Sequence, residues 1–549
     1  MSRLFYLFVL ISIPIFGQNL QLKINGVNPQ DNIVIDSVGY TKKHLTAKLA
    51  VDEANLFLSK LSKIGYLTSS YLSTQQINDS IFEYKCDVGK RTDMIHIYID
   101  KDYQKIAGIN DDSINLPISE NENFINSILK KYESIGYALV KAKLINLKNK
   151  DNFITAQLKI EQGKKRQLND IIINGYAKFP LGHLKNLNRL YKKKVFNIQN
   201  LEQLQKNIDQ YRFVRQIKNP EILFTKDSTK IYVYVEKANT NSFDGFLGFT
   251  NDDKKNILLS GYVDLKLNNI INNGEKLAIN WRSNGQKQST FNAGIELPYI
   301  FNSPIGIKAN LNIIKQDSTF QTTQTALDLG YFFNYNTRLY IGYQSSESSD
   351  IKNLNTALIS DFTNTFITTN FEYLFYKNEY AMFPEKTAVN VKIGAGNRNS
   401  KFQNNSQFFA NLQLKHDLYI NQKNCINLKS QSFYLQSDSY IINELYRFGG
   451  INSVRGFNEN ILQGNLFTSI LTEYRYLVNS NLYVHSILDY GIYQDKTVNT
   501  FNKLFGVGFG FGLLTKNGLF NLVYANGTTK GQQFKLANSL VQISLKAIF

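Results

Sequence analysis

A chain of 549 residues with 33 Tyr, 38 Phe, 8 Pro and 2 Cys is too long for one small domain, and two cysteines cannot build a disulfide framework. Its mean hydropathy of −0.28 excludes a polytopic helical membrane protein. It does not exclude a membrane barrel, whose strands alternate apolar and polar residues and average near neutral.

The first twenty residues, MSRLFYLFVLISIPIFGQNL, place Arg3 before about a dozen mostly apolar residues. That run is too short to span a membrane as a helix and matches a secretory signal. Residues 1–17 are therefore expected to be a signal peptide, cut after Gly17. Nucleic acid is not an expected partner of an exported chain. The net charge of +18 is weighted towards the N-terminal part: +11 over residues 18–240 against +6 over 241–549. Lys164, Lys165, Arg166, Lys178, Lys185, Arg189, Lys192, Lys193 and Lys194 crowd one stretch with few acids between them. Such a stretch can meet anionic lipid headgroups or form a solvated lysine-rich face. The charge run alone favours the second reading.

Residues 20–240 mix helical and strand periods. Residues 50–64 (AVDEANLFLSKLSKI) put Ala54, Phe57, Leu58 and Leu61 on one helical face and stop at Gly65-Tyr66. Residues 124–135 (FINSILKKYESI) align Phe124, Ile128, Leu129 and Tyr132 and stop at Gly136-Tyr137. Residues 201–211 (LEQLQKNIDQY) align Leu201, Leu204, Ile208 and Tyr211. Strand-like segments follow each helix, for example 153–160 and 231–235, and the third unit opens with a strand over 168–176. Three units of roughly 75 residues fit a bead-like array, with boundaries at 18–95, 96–163 and 164–240. One larger α+β domain is the alternative. The repeat resembles the POTRA module. That resemblance implies client capture by adding an extended strand to a sheet edge.

From residue 241 the helical period disappears. At ~19 residues per strand with its share of loops, residues 241–549 hold about 16 strands. In FGVGFGFGL (505–513), Gly506, Gly508, Gly510 and Gly512 share one face. Phe505, Val507, Phe509, Phe511 and Leu513 share the other. A strand with an apolar outer face and room on its inner face suits a barrel in lipid, closed because lipid cannot satisfy open edges. TKNG (515–518) is read as a hairpin turn, with Phe520, Leu522 and Tyr524 outward on the return. The last segment, 540–549, alternates Val541, Ile543, Leu545, Ala547 and Phe549. The terminal Phe549 resembles a C-terminal barrel signal. The expected fold is thus a transmembrane antiparallel β-barrel of about 16 strands, preceded by three α+β POTRA-like domains.

Residues 447–458, RFGGINSVRGFN, carry Val454-Arg455-Gly456-Phe457 behind Gly449-Gly450. LTEYRY (471–476), ILDYG (487–491) and ELPYIFNSPIGI (296–307) surround this motif in order. Together they resemble the BamA/TamA-type outer-membrane assembly superfamily, over most of residues 165–549. A guanidinium folded into a barrel lumen needs acidic partners. Glu473 shares strand parity with Arg475, and Asp489 with Gly491. If those faces point inward, Arg455 is expected to bridge Glu473 and Asp489 with its planar fork; ordinary pairs of luminal charges are the alternative.

The resemblance implies an outer-membrane protein with periplasmic modules that inserts or translocates unfolded outer-membrane or secreted clients at a barrel seam. That seam is expected near residues 246–250 and 540–549. Outer-membrane lipid is a further partner. Periplasmic or inner-membrane accessory proteins are candidates. Three repeats look most like the TamA branch. A two-partner secretion pore usually has two repeats and a plug helix, and no such helix is read before residue 40. A passive channel explains the alternation but neither the motif nor the repeats. An exported enzyme needs a nucleophile–base pair, and none stands out. The five histidines lack metal-ligand spacing, and neither metal nor cofactor is expected.

Overall fold

The computed structural model describes residues 20–150, 153–251, 257–284, 288–377, 382–516, 518–529 and 539–549. The expected signal peptide and Asn517 of the expected turn lie outside these residues. The chain forms two compact units. One holds the chain through Gln167 together with Val195–Gln199. The other holds Leu168–Lys194 together with Asn200–Phe549.

Three modules repeat one order of elements. The first runs Leu20–Gly26, helix Pro29–Val38, helix Ala47–Lys63, then strands Ser70–Asn78 and Ile81–Asp87. The second runs Met94–Ile99, Lys101–Ala107, Asn121–Ser134, Lys141–Lys150 and Phe153–Glu161. The third runs Asp170–Asn174, Leu181–Tyr191, Ile198–Asp209, Val214–Phe224 and Thr229–Lys237. In each, the opening strand lies parallel to the closing one, which pairs antiparallel with its predecessor. The boundary expected between residues 95 and 96 falls inside the strand Met94–Ile99. A helix does precede residue 40, but it belongs to the first module and is not a plug. It is Pro29–Val38, and it buries Ile35 in the core of the first module beside Leu22 and Phe57.

The Gly-Tyr pairs end their helices in one way. Gly65 and Gly136 both have φ +107. Tyr66 N–H bonds Leu61 O at 3.0 Å, and Tyr137 N–H bonds Tyr132 O at 3.1 Å. The positive φ suits glycine because it lacks a Cβ. Each glycine also meets the outgoing linker: Thr92 N–H donates to Gly65 O at 2.8 Å, and Arg166 N–H to Gly136 O at 2.7 Å.

Sixteen antiparallel strands, from Ser242–Asn251 to Leu540–Ile548, close into a barrel. Short turns connect them at the end where the third module enters. The longer connections, 351–361 and 437–465, lie at the opposite end. Side chains alternate as the sequence pattern requires. Arg338, Tyr340, Gln344 and Ser346 are buried inward. Ile341 between them is 63% exposed on the outside, as are Ile367 (67%) and Phe509 (60%). A band of exposed aliphatic and aromatic groups this extensive is unfavourable in water and suits hydrocarbon. The fold is that of an outer-membrane β-barrel. Ile341→Arg should cost about 2–4 kcal/mol if its position is near the bilayer midplane, measured by urea titration of the barrel folded into vesicles. Leu72→Arg, on an exposed module strand, should leave stability within about 0.5 kcal/mol.

The third module docks on the barrel rim. In the repeat register, Gln210-Tyr211 replaces Gly-Tyr. Gln210 Nε2 donates to Tyr376 O at 3.1 Å, and its Oε1 accepts from Tyr376 N–H at 2.8 Å and Asn336 Nδ2 at 3.1 Å. His183, fully buried, sits in a cage of Tyr211, Phe213, Tyr299 and Tyr335 rings 4.8–5.5 Å away. Burial lowers its pKa to about 3, helped by Lys276 and Arg338 and opposed by Glu296. The unfolded chain takes up this proton below pH ~6.5 while the folded one does not. Stability should therefore fall as pH drops from about 6.5 towards 3. At pH 4.5 the loss from this group is roughly 2–3 kcal/mol. His183→Phe should remove that component when unfolding is followed at pH 7.5 and 4.5.

Candidate functional site: a loop pinned inside the barrel

The connection 437–465 folds into the lumen. It carries its own ribbon, Tyr446–Phe448 paired with Leu462–Gly464, and the Val454-Arg455-Gly456-Phe457 motif beyond it. Apolar contact seats it first. Phe448 and Val454 pack on Phe467, Leu471 and Leu504 of the inner wall, with Phe457 against them. The Phe448 and Phe467 rings stack with centroids 3.9 Å apart. Each such side chain, fully buried, contributes on the order of 1.5–3 kcal/mol.

The structure brings the three expected charged residues together. Arg455 Nε donates to Asp489 Oδ2 at 2.8 Å, its Nη2 to Asp489 Oδ1 at 2.5 Å, and its backbone N–H to Asp489 Oδ2 at 2.9 Å. Its Nη1 bonds Glu473, and Nη2 also reaches Thr472 O at 3.2 Å. Arg455 is 5% exposed and Asp489 0%. Glu473 is shared, because Arg475 Nε donates to its Oε2 at 2.7 Å. Arg475 in turn reaches Asp417 at 3.4 Å. Charges alternate along Asp489, Arg455, Glu473, Arg475 and Asp417, so no buried charge in this row stands without an opposite neighbour.

The glycine face of the barrel is the seat for this loop. A Cβ on Gly506 would stand 2.5 Å from Arg455 O. One on Gly527 would stand 2.7 Å from Gly456 O and from Phe457 Cε2. One on Gly456, whose φ is +87, would stand 2.1 Å from Gly527 N. Gly456 thus needs glycine twice, for backbone angle and for close approach. The room that the sequence pattern left in the lumen is filled by backbone.

Sequence reasoning missed a second anchor. Arg398 and Glu444, each with its side chain 1% exposed, pair near the start of the loop. Arg398 Nη2 also donates to Ser439 Oγ at 2.8 Å. No motif flags Glu444, which lies in the turn Ile442–Glu444 of the loop while Arg398 lies on the barrel strand Glu385–Ser400. Glu296 opens the stretch ELPYIFNSPIGI. It pairs with buried Arg338 at 2.6 Å and with Lys276 at 3.3 Å, on the module side of the lumen.

The seam is short. Ser242 pairs with Ile548 and Phe243 with Ala547, and Asn241 and Phe549 exchange backbone bonds at 3.0 and 3.2 Å. The backbone of Phe549 thereby helps close the barrel. Among the described residues the pairing goes no further, although Leu540–Ile548 pairs along its length with its other neighbour. Residues 246–250, expected at the seam, lie on the first barrel strand and pair with 258–262 of its other neighbour; among the described residues no pairing joins them to the last strand.

Fold and site together define a class: a 16-strand outer-membrane-type barrel with an arginine-pinned luminal loop, preceded by POTRA-like modules. No family model matches the sequence, and no curated protein does. Among solved structures it is similar to CdiB from Acinetobacter baumannii, with TM-score 0.51, 12% identity, and coverage of 91% of this chain and 97% of that one. CdiB from Escherichia coli gives TM-score 0.51, 14% identity, and coverage of 90% and 97%. BamA from Haemophilus ducreyi lacking POTRA domains 1–3 gives TM-score 0.48, 13% identity, and coverage of 82% and 99%. At these identities the likeness to CdiB is one of fold.

Proposed function

We propose that this chain is an outer-membrane assembly or translocation factor that handles unfolded client proteins, with its modules in the periplasm. The observation that carries this reading is the seam. Among the described residues, no backbone pairing joins the first and last strands past Phe243 and Ala547. Unsatisfied N–H and C=O groups are costly in a membrane, so such an edge favours an incoming strand that can pair with it. The modules offer further edges. Among the described residues, Ser70–Asn78 pairs on one side only, with Ile81–Asp87, and is exposed along nearly all its length. A client strand added there needs no particular sequence. In this reading the Arg455 cluster holds the loop that shapes the lumen beside the seam. Energy comes from client folding and lipid burial; no catalytic step is involved.

The likeness to CdiB over nine-tenths of the chain favours secretion of a client through the lumen as a second reading. Three modules and the motif favour assembly of the TamA type. Depletion of the protein, followed by quantitation of outer-membrane proteins, tests the choice. A fall in several barrel proteins supports assembly. Loss of one secreted protein with barrels unchanged supports secretion. No change in either contradicts both.

A further inference from the structure

A cavity of about 360 Å³ opens between the third module and the barrel rim. Lys194, at the end of the basic stretch, lines one side and Lys206 of the helix Ile198–Asp209 another. Its floor is built by Gln210 and Asn336, locked to each other and to the backbone of Tyr376. Its remaining wall includes Tyr373 and Phe375. On this strand Asn370 and Glu372 are buried inward, and Leu374 and Tyr376 line the luminal cavity. By strand alternation Tyr373 and Phe375 therefore face outward, to the lipid side at the module end of the barrel. Among the described residues no carboxylate lines the cavity. The Lys194 ammonium lies 4.8 Å above the Tyr191 ring, which holds it at the mouth.

We propose that this cavity binds the headgroup of an anionic phospholipid from the bilayer leaflet that adjoins the modules. Two lysines without a lining carboxylate suit a phosphodiester. The outward aromatics give the acyl chains a path along the barrel wall. Lipid rather than a soluble anion is favoured by continuity: the wall that closes the cavity is the lipid-facing end of a membrane strand. Part of the basic stretch thereby has a defined task that charge counting could not assign. The proposal rests only on the barrel standing in a bilayer. Loss of client handling would leave it untouched.

The test uses the full chain in detergent, delipidated and then titrated with phosphatidylglycerol or phosphatidylcholine, with retained lipid counted by native mass spectrometry. Wild-type protein should retain phosphatidylglycerol at least fivefold better than phosphatidylcholine. Lys194→Gln with Lys206→Gln should erase that preference. Lys192→Gln with Lys193→Gln, an equal charge change outside the cavity, should keep it. Equal loss in both double variants would overturn the proposal in favour of bulk charge, and displacement by millimolar inorganic phosphate would overturn it in favour of a soluble anion. Should the cavity variant not fold, Phe375→Trp decides. Its fluorescence should be quenched more by brominated phosphatidylglycerol than by brominated phosphatidylcholine, and equal quenching contradicts the site.

Discussion

Replacing Asp489 with alanine should release the luminal loop and cost about 3–5 kcal/mol, the range for removing one partner of a buried ion pair. Asp489 is fully buried and accepts three bonds from Arg455, one of them from the backbone. Its loss leaves the guanidinium with Glu473, which is already engaged by Arg475. Asp489→Asn should cost less, because the amide oxygen still accepts a bond. Arg455→Lys should fall between, since an ammonium cannot span both carboxylates with a planar fork. The measurement is proteolysis of residues 449–461 in the folded barrel, read beside the thermal midpoint. An unchanged cleavage rate in Asp489→Ala would mean that apolar packing alone holds the loop.

Gly527→Val tests the other half of the seat and should have the second largest effect. A Cβ there would lie 2.7 Å from Gly456 O and 2.8 Å from Gly456 C. Backbone cannot swing aside as a side chain can. Overpacking of this kind costs about 1–3 kcal/mol or more. The loop should become protease-sensitive although every charged group of the cluster is intact. Gly294→Ala, on a barrel strand away from the loop, where the nearest neighbour of a Cβ is the Asn310 side chain at 2.9 Å, should leave protease resistance unchanged. If both variants behave alike, the glycines serve strand geometry rather than the loop.

Much of this architecture was legible in the sequence because it rests on short periods. Alternation over 505–513 and 540–549 fixed which side meets lipid. The Gly-Tyr pairs marked two helix ends and with them the repeat. Arg455, Glu473 and Asp489 could be joined because the family resemblance marks all three segments and a buried guanidinium demands acidic partners. What stayed hidden depends on contacts distant in the chain. The helix Lys101–Ala107 has seven residues, too few to stand by propensity. Leu181–Tyr191 is held by docking: its His183 packs in the aromatic cage and its Asn186 bonds Asn302 O and Ser303 O. Glu444 gave no sign because its partner Arg398 lies 46 residues away. Gln210 could be seen as a break in the Gly-Tyr repeat, but its bonds to the barrel rim could not.

Covalent closure of the seam tests the functional account most directly. With Cys86 and Cys425 replaced by alanine, Phe243→Cys and Ala547→Cys put one thiol on each side of the last paired position. Oxidation should stop the rise in client protein abundance after induction, and reductant should restore it, with the barrel folded throughout. Full activity from a barrel whose first and last strands are quantitatively cross-linked would contradict a role for strand exchange at this junction.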